Sequence, residues 1–291
     1  MKVIRSIKEM NEVSEEQRLS KNTIGFVPTM GFLHEGHLAL VEQAKKDTTF
    51  VVVSVFVNPL QFNQATDLEK YPRDFERDEK ILSEAGVDAI FYPSVDDMYP
   101  KSPAIQMNLV DRGDVLCGAT RPGHFEGVLT VLSKLFNIIR PTHTFFGLKD
   151  AQQVAVVDSL INDLNFDIKL VPVPTVREDS GLAKSSRNVN LNPAEREEAA
   201  NIYRSLLRGR EELMNDNEWT REQVINTVND FLQNRISGEI DYIDCLTYPE
   251  LKSDNVKNHD IIIAVAVKYQ YARLIDNVIL HPNGQFKYGG D

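Results

Sequence analysis

The chain has 291 residues, of which 42% are hydrophobic and 26% charged, a composition that predicts a globular protein of one or two domains. Its formal net charge of -11 argues against a broad nucleic-acid surface, because such a surface needs clustered cations to displace phosphate counterions. No apolar run approaches the roughly 20 residues of a membrane span and the first residues lack a signal-peptide pattern, so we expect a cytoplasmic protein that binds neither a membrane nor nucleic acid.

Strand-like and helix-like patterns alternate over the first 175 residues. Predicted strands lie at 24–27, 50–57, 89–92, 144–146 and 168–173. Predicted helices lie at 38–46, 74–85, 127–139 and 151–164. The second strand is a nearly continuous apolar run, which is typical of a parallel strand buried on both faces. This alternation predicts an α/β fold with a Rossmann-like, doubly wound parallel sheet that binds ligands beyond the carboxyl ends of its strands.

The alternation of strands and helices changes after Pro172 and Pro174, which restrict the backbone conformation. Two charged amphipathic helices are expected at 193–213 and 220–233, followed by strands at 240–246, 261–267 and 272–279. We therefore predict a Rossmann-like domain over 1–175 and a smaller C-terminal α+β domain with an antiparallel sheet over 176–291. The final residues, 287–291, are expected to form a frayed tail.

Two histidines, His34 and His37, lie at the turn between the first predicted strand and the following helix. A helix start binds anions well, because its first N–H groups lack partners and the macrodipole adds positive charge. Both imidazoles can therefore donate to a phosphate chain. The structural alternative is that one histidine caps the helix and the other is solvated. The spacing differs from H-E-x-x-H, which disfavours a zinc protease, and the sequence has no P-loop or G-x-G-x-x-G signature.

A pair of amides and an arginine–histidine pair lie in two further predicted loops. Asn58 and Gln61 follow the second strand, where they can bind hydroxyl groups or a carboxylate, although amides also form ordinary turns. Arg121 and His124 precede a helix, where they offer a cation and an imidazole to an anion or form a solvated turn. Each pair taken alone is a weak signal.

Two more clusters are suited to phosphate. Gly147 permits close backbone approach after a strand, Lys149 supplies a positive charge, and Asp150 can cap a helix or accept from a ribose hydroxyl. The segment 184–188 places two serines between a lysine and an arginine, a composition that suits a phosphate clamp but is also typical of a basic surface loop.

Six motifs, taken together and in order, resemble the pantoate–β-alanine ligase family of the nucleotidylyltransferase superfamily. They are P-T-M-G-F-L-H-E-G-H, V-N-P-L-Q-F, Y-P-R-D, R-P-G-H-F-x-G-V, F-G-x-K-D-x-Q-Q and S-S-R-N. The resemblance covers essentially the whole chain. Lys184 departs from it, because many relatives have Met at this position, and this departure concerns only local adenine or clamp contacts.

The resemblance implies a ligase that makes pantothenate, vitamin B5, in two steps. The carboxylate of (R)-pantoate attacks the α-phosphorus of Mg-ATP to give pantoyl adenylate and pyrophosphate, and the amine of β-alanine then displaces AMP. The implied requirements are ATP as a substrate, Mg²⁺ and a homodimer. The domain over 1–175 would bind ATP and pantoate, and the domain over 176–291 would act as a lid that keeps water from the mixed anhydride.

The resemblance also assigns residues to roles. The implied catalytic residues are His34, His37, Lys149, Ser185, Ser186 and Arg187. The implied ATP site contains Pro28, Thr29, Met30, Gly31, His37, Gly147, Lys149, Asp150, Val176, Lys184, Ser185, Ser186 and Arg187. The implied contacts to pantoate or β-alanine are Met30, Gln61 and Gln153, and a second tier on the substrate or oligomer side is Asn58, Tyr71, Arg121 and His124. No Mg²⁺ ligand is assigned, and Asp78 is a candidate helper.

Two other functions would use the same clusters. One is a nucleotidylyltransferase that joins a nucleotide to a phosphorylated precursor without an amine step. Against it, the amides of Gln61 and Gln153 suit a small hydroxy acid better than a second phosphate, because they donate and accept without adding charge. The other is a protein that binds ATP as a regulator, for which loss of His37 would lower affinity alone.

Overall fold

The protein is described here by a computed structural model that covers residues 1–63, 68–69, 71–215 and 218–289. It forms two compact units. The first consists of Met1–Gly113, Gly118–Gly147 and Val156–Val173. The second consists of Asp114–Cys117, Leu148–Ala155 and Pro174–Asp291, so it takes in two short segments that precede the expected boundary at residue 175.

The first unit is built on a six-stranded parallel sheet. Its strands are β1 (Lys2–Ile4), β2 (Ile24–Thr29), β3 (Phe50–Val55), β4 (Ala89–Phe91), β5 (His143–Gly147) and β6 (Lys169–Val173). Their order is β1-β4-β3-β2-β5-β6, and every neighbouring pair is parallel. The direction of winding reverses between β2 and β5, so the switch point of the sheet lies there. The predicted α/β fold is confirmed.

Helices connect the strands of this sheet. They are α1 (Ile7–Leu19), α2 (Glu35–Asp47), α3 (Phe75–Glu84), α4 (Val95–Met98), α5 (Leu116–Thr120), α6 (His124–Ile139) and α7 (Ala151–Asp163). Ser6 and Asp74 cap α1 and α3 by accepting from the N–H groups of Glu9 and Arg77. None of the described helices combines the length and the apolar character of a membrane span.

Apolar side chains of α2 pack against one face of the sheet. Leu40, Val41 and Ala44 are buried in one cluster with Val51 and Val53 of β3. Burial of each larger side chain contributes roughly 1.5–3 kcal/mol, so this face fixes the direction in which α2 leaves the sheet. The start of α2 is therefore held at the carboxyl end of β2.

The second unit contains an antiparallel sheet of β7 (Glu239–Thr247), β8 (Ile261–Lys268) and β9 (Arg273–Leu280), with helices α8 (Pro193–Asn215) and α9 (Arg221–Gln233). Leu206 and Val228 of these helices share one buried cluster with Ile263. The predicted α+β architecture is confirmed. The expected frayed tail is wrong for Lys287, whose Nζ lies 2.8 Å from Asp260 Oδ2, and residues 290–291 lie outside the described part.

Candidate active site

A buried carboxylate holds the loop between β2 and α2. The N–H groups of Phe32 and Leu33 donate to Asp78 Oδ2 and Oδ1 at 2.7 and 2.8 Å. Gly31 and Phe32 have φ values of +82° and +53°, and this left-handed backbone turns both N–H groups toward one acceptor. A Cβ on Gly31 would lie 2.9 Å from Asp78 Oδ2, so glycine is required there for both space and backbone conformation.

Asp78 is placed for this task by the first turn of α3. Burial raises the pKa of its carboxyl, and the two backbone hydrogen bonds from Leu33 and Phe32 oppose that shift. The neighbouring Arg77 donates to the Leu33 carbonyl at 2.8 Å and lies 5.1 Å from the ring centre of Phe32. Both carboxylate oxygens of Asp78 thus bind backbone, which disfavours the expected role of this residue as a Mg²⁺ helper.

The two histidines form a reciprocal cap at the start of α2. His34 Nδ1 accepts from the Gly36 N–H at 3.1 Å, and His37 Nδ1 accepts from the His34 N–H at 3.3 Å. Since each Nδ1 is an acceptor, each neutral ring carries its proton on Nε2. Both histidines therefore cap the helix, which differs from the alternative in which one caps and the other is solvated, and both caps use Nδ1.

The carboxyl end of β2 adds three residues of the implied ATP site. Thr29 Oγ1 donates to the Ser54 carbonyl at 2.7 Å and accepts from the Gly31 N–H at 3.2 Å, so it shapes the turn. Pro28 pairs with Ser54 in β3, and β5 pairs with β2 only at Gly25 and Phe26, so the missing N–H of Pro28 breaks no ladder bond with β5.

The amide turn after β3 is closely bound. Asn58 Nδ2 donates to Gln61 Oε1 at 3.1 Å and to the Gly127 carbonyl at 3.0 Å, while its Oδ1 accepts from Tyr99 OH at 2.9 Å. Gln61 Nε2 contacts the sulfur of Met30 at 3.0 Å. The structure thus brings Gln61 and Met30 together, as the implied pantoate site requires. Burial raises the pKa of Tyr99 to about 12, so this hydroxyl remains a donor.

Three second-tier residues support the same turn. His124 Nδ1 lies 2.9 Å from the Gln61 carbonyl, and since a carbonyl only accepts, this nitrogen carries the proton. Arg121 NH1 lies 3.4 Å from Nε2 of His124. Tyr71 packs edge-on against Phe62, with ring centres 5.8 Å apart. In the structure these side chains hold the turn that carries Gln61.

Gly127 allows α6 to approach this turn. A Cβ at position 127 would lie 2.3 Å from the Leu60 carbonyl oxygen, which is backbone and cannot move aside cheaply. We expect Gly127→Ala to shift Gln61 and to raise, about tenfold or more, the KM for the substrate that the resemblance assigns to Gln61, pantoate, with little change in the KM for ATP. Steady-state kinetics with each substrate varied would test this. Gly86→Ala is the control for general destabilisation, since φ at Gly86 is +72° and its Cβ would meet only the end of Lys45. Equal effects of the two substitutions on the KM for pantoate would contradict the prediction.

Lys149 and Asp150 lie in a single turn of 3-10 helix, Leu148–Asp150, directly after Gly147 ends β5. Lys149 Nζ is 3.7 Å from Asp150 Oδ2, and its side chain is 17% exposed. A Cβ on Gly147 would make only an ordinary contact at 4.0 Å, so the protein's own packing does not require glycine there. This leaves room for a ligand to approach the backbone.

The two neighbouring glutamines of α7 have different environments. Gln152 is buried and binds the backbone of two residues: its Oε1 accepts from the Cys117 N–H at 2.9 Å and its Nε2 donates to the Val115 carbonyl at 2.8 Å. Gln153 is half-buried. The side-chain amide of Gln152 therefore binds backbone, and Gln153 remains the glutamine that is expected to contact substrate.

The serine-rich segment follows a short hairpin. The Lys184 N–H donates to the Val176 carbonyl at 2.9 Å, and Arg177 and Ala183 form an isolated antiparallel β-bridge. Ser185 Oγ accepts from the Arg187 N–H at 3.3 Å and starts the 3-10 turn Ser186–Asn190. Lys149 and Ser185 line one small cavity of the second unit, so the structure brings these two expected phosphate contacts together.

The supporting roles of several residues carry no signal in the sequence. Asp78, Tyr99 and Asn277 act through side-chain bonds to backbone or to another side chain far along the chain. Such partners show no periodicity and no motif spacing. Within the described residues, no group of three or more His, Cys, Asp or Glu side chains could hold a metal ion.

The fold and these loops define an α/β protein in which a helix begins at the carboxyl edge of a parallel sheet, an arrangement that suits anion binding. The model of the family "Pantoate-beta-alanine ligase" matches residues 2–279. A curated pantothenate synthetase of Geobacillus sp. (strain WCH70) is 52% identical over 280 residues, which are 96% of this chain and 99% of that protein.

Solved structures agree with the sequence comparison. The crystal structure of pantothenate synthetase from Thermus thermophilus has a TM-score of 0.86 and 42% identity, over 96% of this chain and 99% of that one. A pantoate-beta-alanine ligase from Francisella tularensis, complexed with "Beta-gamma ATP and Beta-alanine", has a TM-score of 0.78 and 35% identity, over 97% and 99%. The chain belongs to the pantoate–β-alanine ligase family, and it is a ligase of pantothenate biosynthesis.

Proposed function

We propose that the protein joins (R)-pantoate to β-alanine at the expense of ATP, through a pantoyl-adenylate intermediate with release of pyrophosphate and then AMP. The observation that carries the proposal is the pair of Nε2–H donors, His34 and His37, at the start of α2. Their loop is held by Asp78 at the carboxyl edge of the sheet. The ATP and β-alanine in the Francisella tularensis complex support the same substrates.

In the first step a carboxylate oxygen of pantoate bonds to the α-phosphorus while the bond to the bridging oxygen of pyrophosphate breaks. Negative charge spreads over the phosphate oxygens, so catalysis needs positioned donors more than a covalent nucleophile. We assign this task to the donors His34, His37, Lys149, Ser185, Ser186 and Arg187. The remaining nucleotide contacts are assigned to Pro28, Thr29, Met30, Gly31, Gly147, Asp150, Val176 and Lys184.

In the second step the amine of β-alanine attacks the acyl carbon, AMP leaves with the bonding electrons, and the amine loses a proton. Gln61, Gln153 and Met30 are assigned to hold pantoate through both steps. The Gln61 amide donates to the Met30 sulfur, which is a weak acceptor. A hydroxyl or carboxylate oxygen of pantoate is a better acceptor, so substrate binding can replace that contact at low cost.

Mg²⁺ is expected to enter with ATP. This ion keeps several waters and binds through substrate phosphates more often than in an all-protein cage. Asp78, the candidate helper, is engaged by two backbone N–H groups. Mg²⁺ supplies charge neutralisation on the phosphates, and no protein ligand is assigned to it.

The remaining parts of the proposal concern organisation. We propose an ATP- and pantoate-binding domain over 1–175, a lid over 176–291, a homodimer and a cytoplasmic location. The lid serves to keep water from the mixed anhydride. Hydrolysis of the bound adenylate slower than that of the free adenylate is the expected sign of the lid, and sedimentation velocity tests the dimer.

Pyrophosphate–ATP isotope exchange, measured with and without pantoate and in the absence of β-alanine, tests the proposed chemistry. We expect exchange only when pantoate is present, because reversible adenylate formation needs the acid but not the amine. Exchange without pantoate would point to another acceptor. Folded protein that binds ATP but shows no exchange would overturn the adenylate mechanism.

A further inference from the structure

Asn277 of β9 holds the turn that carries Lys149. Its side-chain Nδ2 donates to the Leu148 carbonyl at 2.9 Å and to the Lys149 carbonyl at 3.0 Å. Asn277 is buried, with 8% of its surface exposed. An amide nitrogen has two protons, so this side chain binds two successive carbonyls with its full donor capacity. The path of the backbone at Lys149 is thereby set by β9.

The residue before it connects β9 to the serine-rich segment. Asp276 accepts from Arg177 in a two-pronged pair, with NH1 to Oδ2 at 2.6 Å and NH2 to Oδ1 at 3.0 Å. Its Oδ1 also accepts from the Asn277 N–H at 2.8 Å. Arg177 begins the hairpin that leads to Lys184, and its NH1 donates to the Gly181 carbonyl at 3.1 Å.

Packing makes this arrangement stiff. The guanidinium carbon of Arg177 lies 3.6 Å from the ring centre of Tyr203 on α8, and Asp276 is 4% exposed. A planar guanidinium that is paired on its edge and stacked on its face has little freedom left. Two adjacent residues of β9 therefore hold both segments: Asp276 binds the hairpin through Arg177, and Asn277 binds the turn that carries Lys149.

We propose that Asn277, Asp276 and Arg177 are positioning residues that set Lys149 and Ser185 at a constant separation for binding one phosphate chain. This inference rests on the proposed function, in which both side chains contact ATP. The two lie on one small cavity, although 36 positions separate them in the sequence. Neither side chain bonds directly to Asn277, which acts through the backbone.

Asn277→Asp tests the proposal, because it replaces two donors by an acceptor of the same shape facing two carbonyls. We expect the rate of pantoate-dependent pyrophosphate–ATP exchange to fall on the order of 10- to 100-fold, with the KM for β-alanine unchanged. Asn226→Asp, at an exposed position of α9, is the control for the added charge. Arg177→Lys is the second variant, since it keeps the charge but loses the two-pronged pair.

A double-mutant cycle with Lys149→Ala separates positioning from a general structural role. If Asn277 acts through Lys149, Asn277→Asp has an effect below about twofold once Lys149 is alanine. Equal losses in both backgrounds would overturn the inference while leaving the proposed function intact. If Lys149→Ala alone leaves exchange unchanged, the proposed role of Lys149 fails, and the inference fails with it.

Discussion

Replacement of His37 by alanine is expected to lower the rate of pantoate-dependent exchange about 10²- to 10³-fold, the range found when one positioned donor to a developing anion is removed. The physical reason is the proton on Nε2, which the cap fixes by using Nδ1 as an acceptor. A histidine at this position accepts from the His34 N–H through Nδ1 and can donate to a phosphate oxygen through Nε2 at the same time.

The same substitution is expected to have a small effect on folding. It removes the acceptor of one helix-start N–H, which costs about 1 kcal/mol. Exchange kinetics should therefore show a large loss of rate, while thermal melting should show only a modest loss of stability. His259→Ala, at an exposed histidine of the second unit, is the matched control and should change neither. A variant that loses only ATP affinity and keeps its maximal rate would show that His37 binds without catalysing.

Asp78→Ala is expected to combine a large loss of stability with a large loss of rate. It leaves the N–H groups of Phe32 and Leu33 without their acceptor in a buried loop. Each unsatisfied group costs about 1–3 kcal/mol, so the expected change in the free energy of unfolding is about 2–4 kcal/mol after relaxation. The exchange rate should fall as well, because the loop no longer fixes the start of α2.

Asp78→Asn keeps the shape of the side chain and one acceptor, so it should fold and still lower the rate. Nitrogen-15 shifts of the imidazoles report the tautomers directly: His34 and His37 should show protonated Nε2 in the wild type and a mixture in the variant. Asp88→Ala is the control, because Asp88 also accepts from a backbone N–H, that of Val51, but at the amino end of β3. If Asp78→Asn keeps full activity, the loop does not depend on this carboxylate.

Five of the six strands of the parallel sheet, β2 to β6, were predictable because each carries its own apolar pattern. β1 and α1 were not predicted, since β1 has only two apolar residues, Val3 and Ile4, and is defined as a strand by its pairing with β4. The third strand was predicted to reach residue 57 and ends at Val55. Phe56 and Val57 are apolar like the strand, and the turn at Asn58–Gln61, rather than composition, ends it.

Sequence alone determined the order of elements and the chemistry available in the loops, because hydrophobic periodicity and residue type are local properties. It placed His34, His37, Gln61, Lys149 and Ser185 in loops that follow or border predicted strands. The tertiary structure decided which nitrogen of each histidine carries the proton, which of two adjacent glutamines holds backbone, and that Asp78 and Asn277 support the loops. These outcomes depend on hydrogen bonds between residues as many as 129 positions apart, which no local pattern encodes.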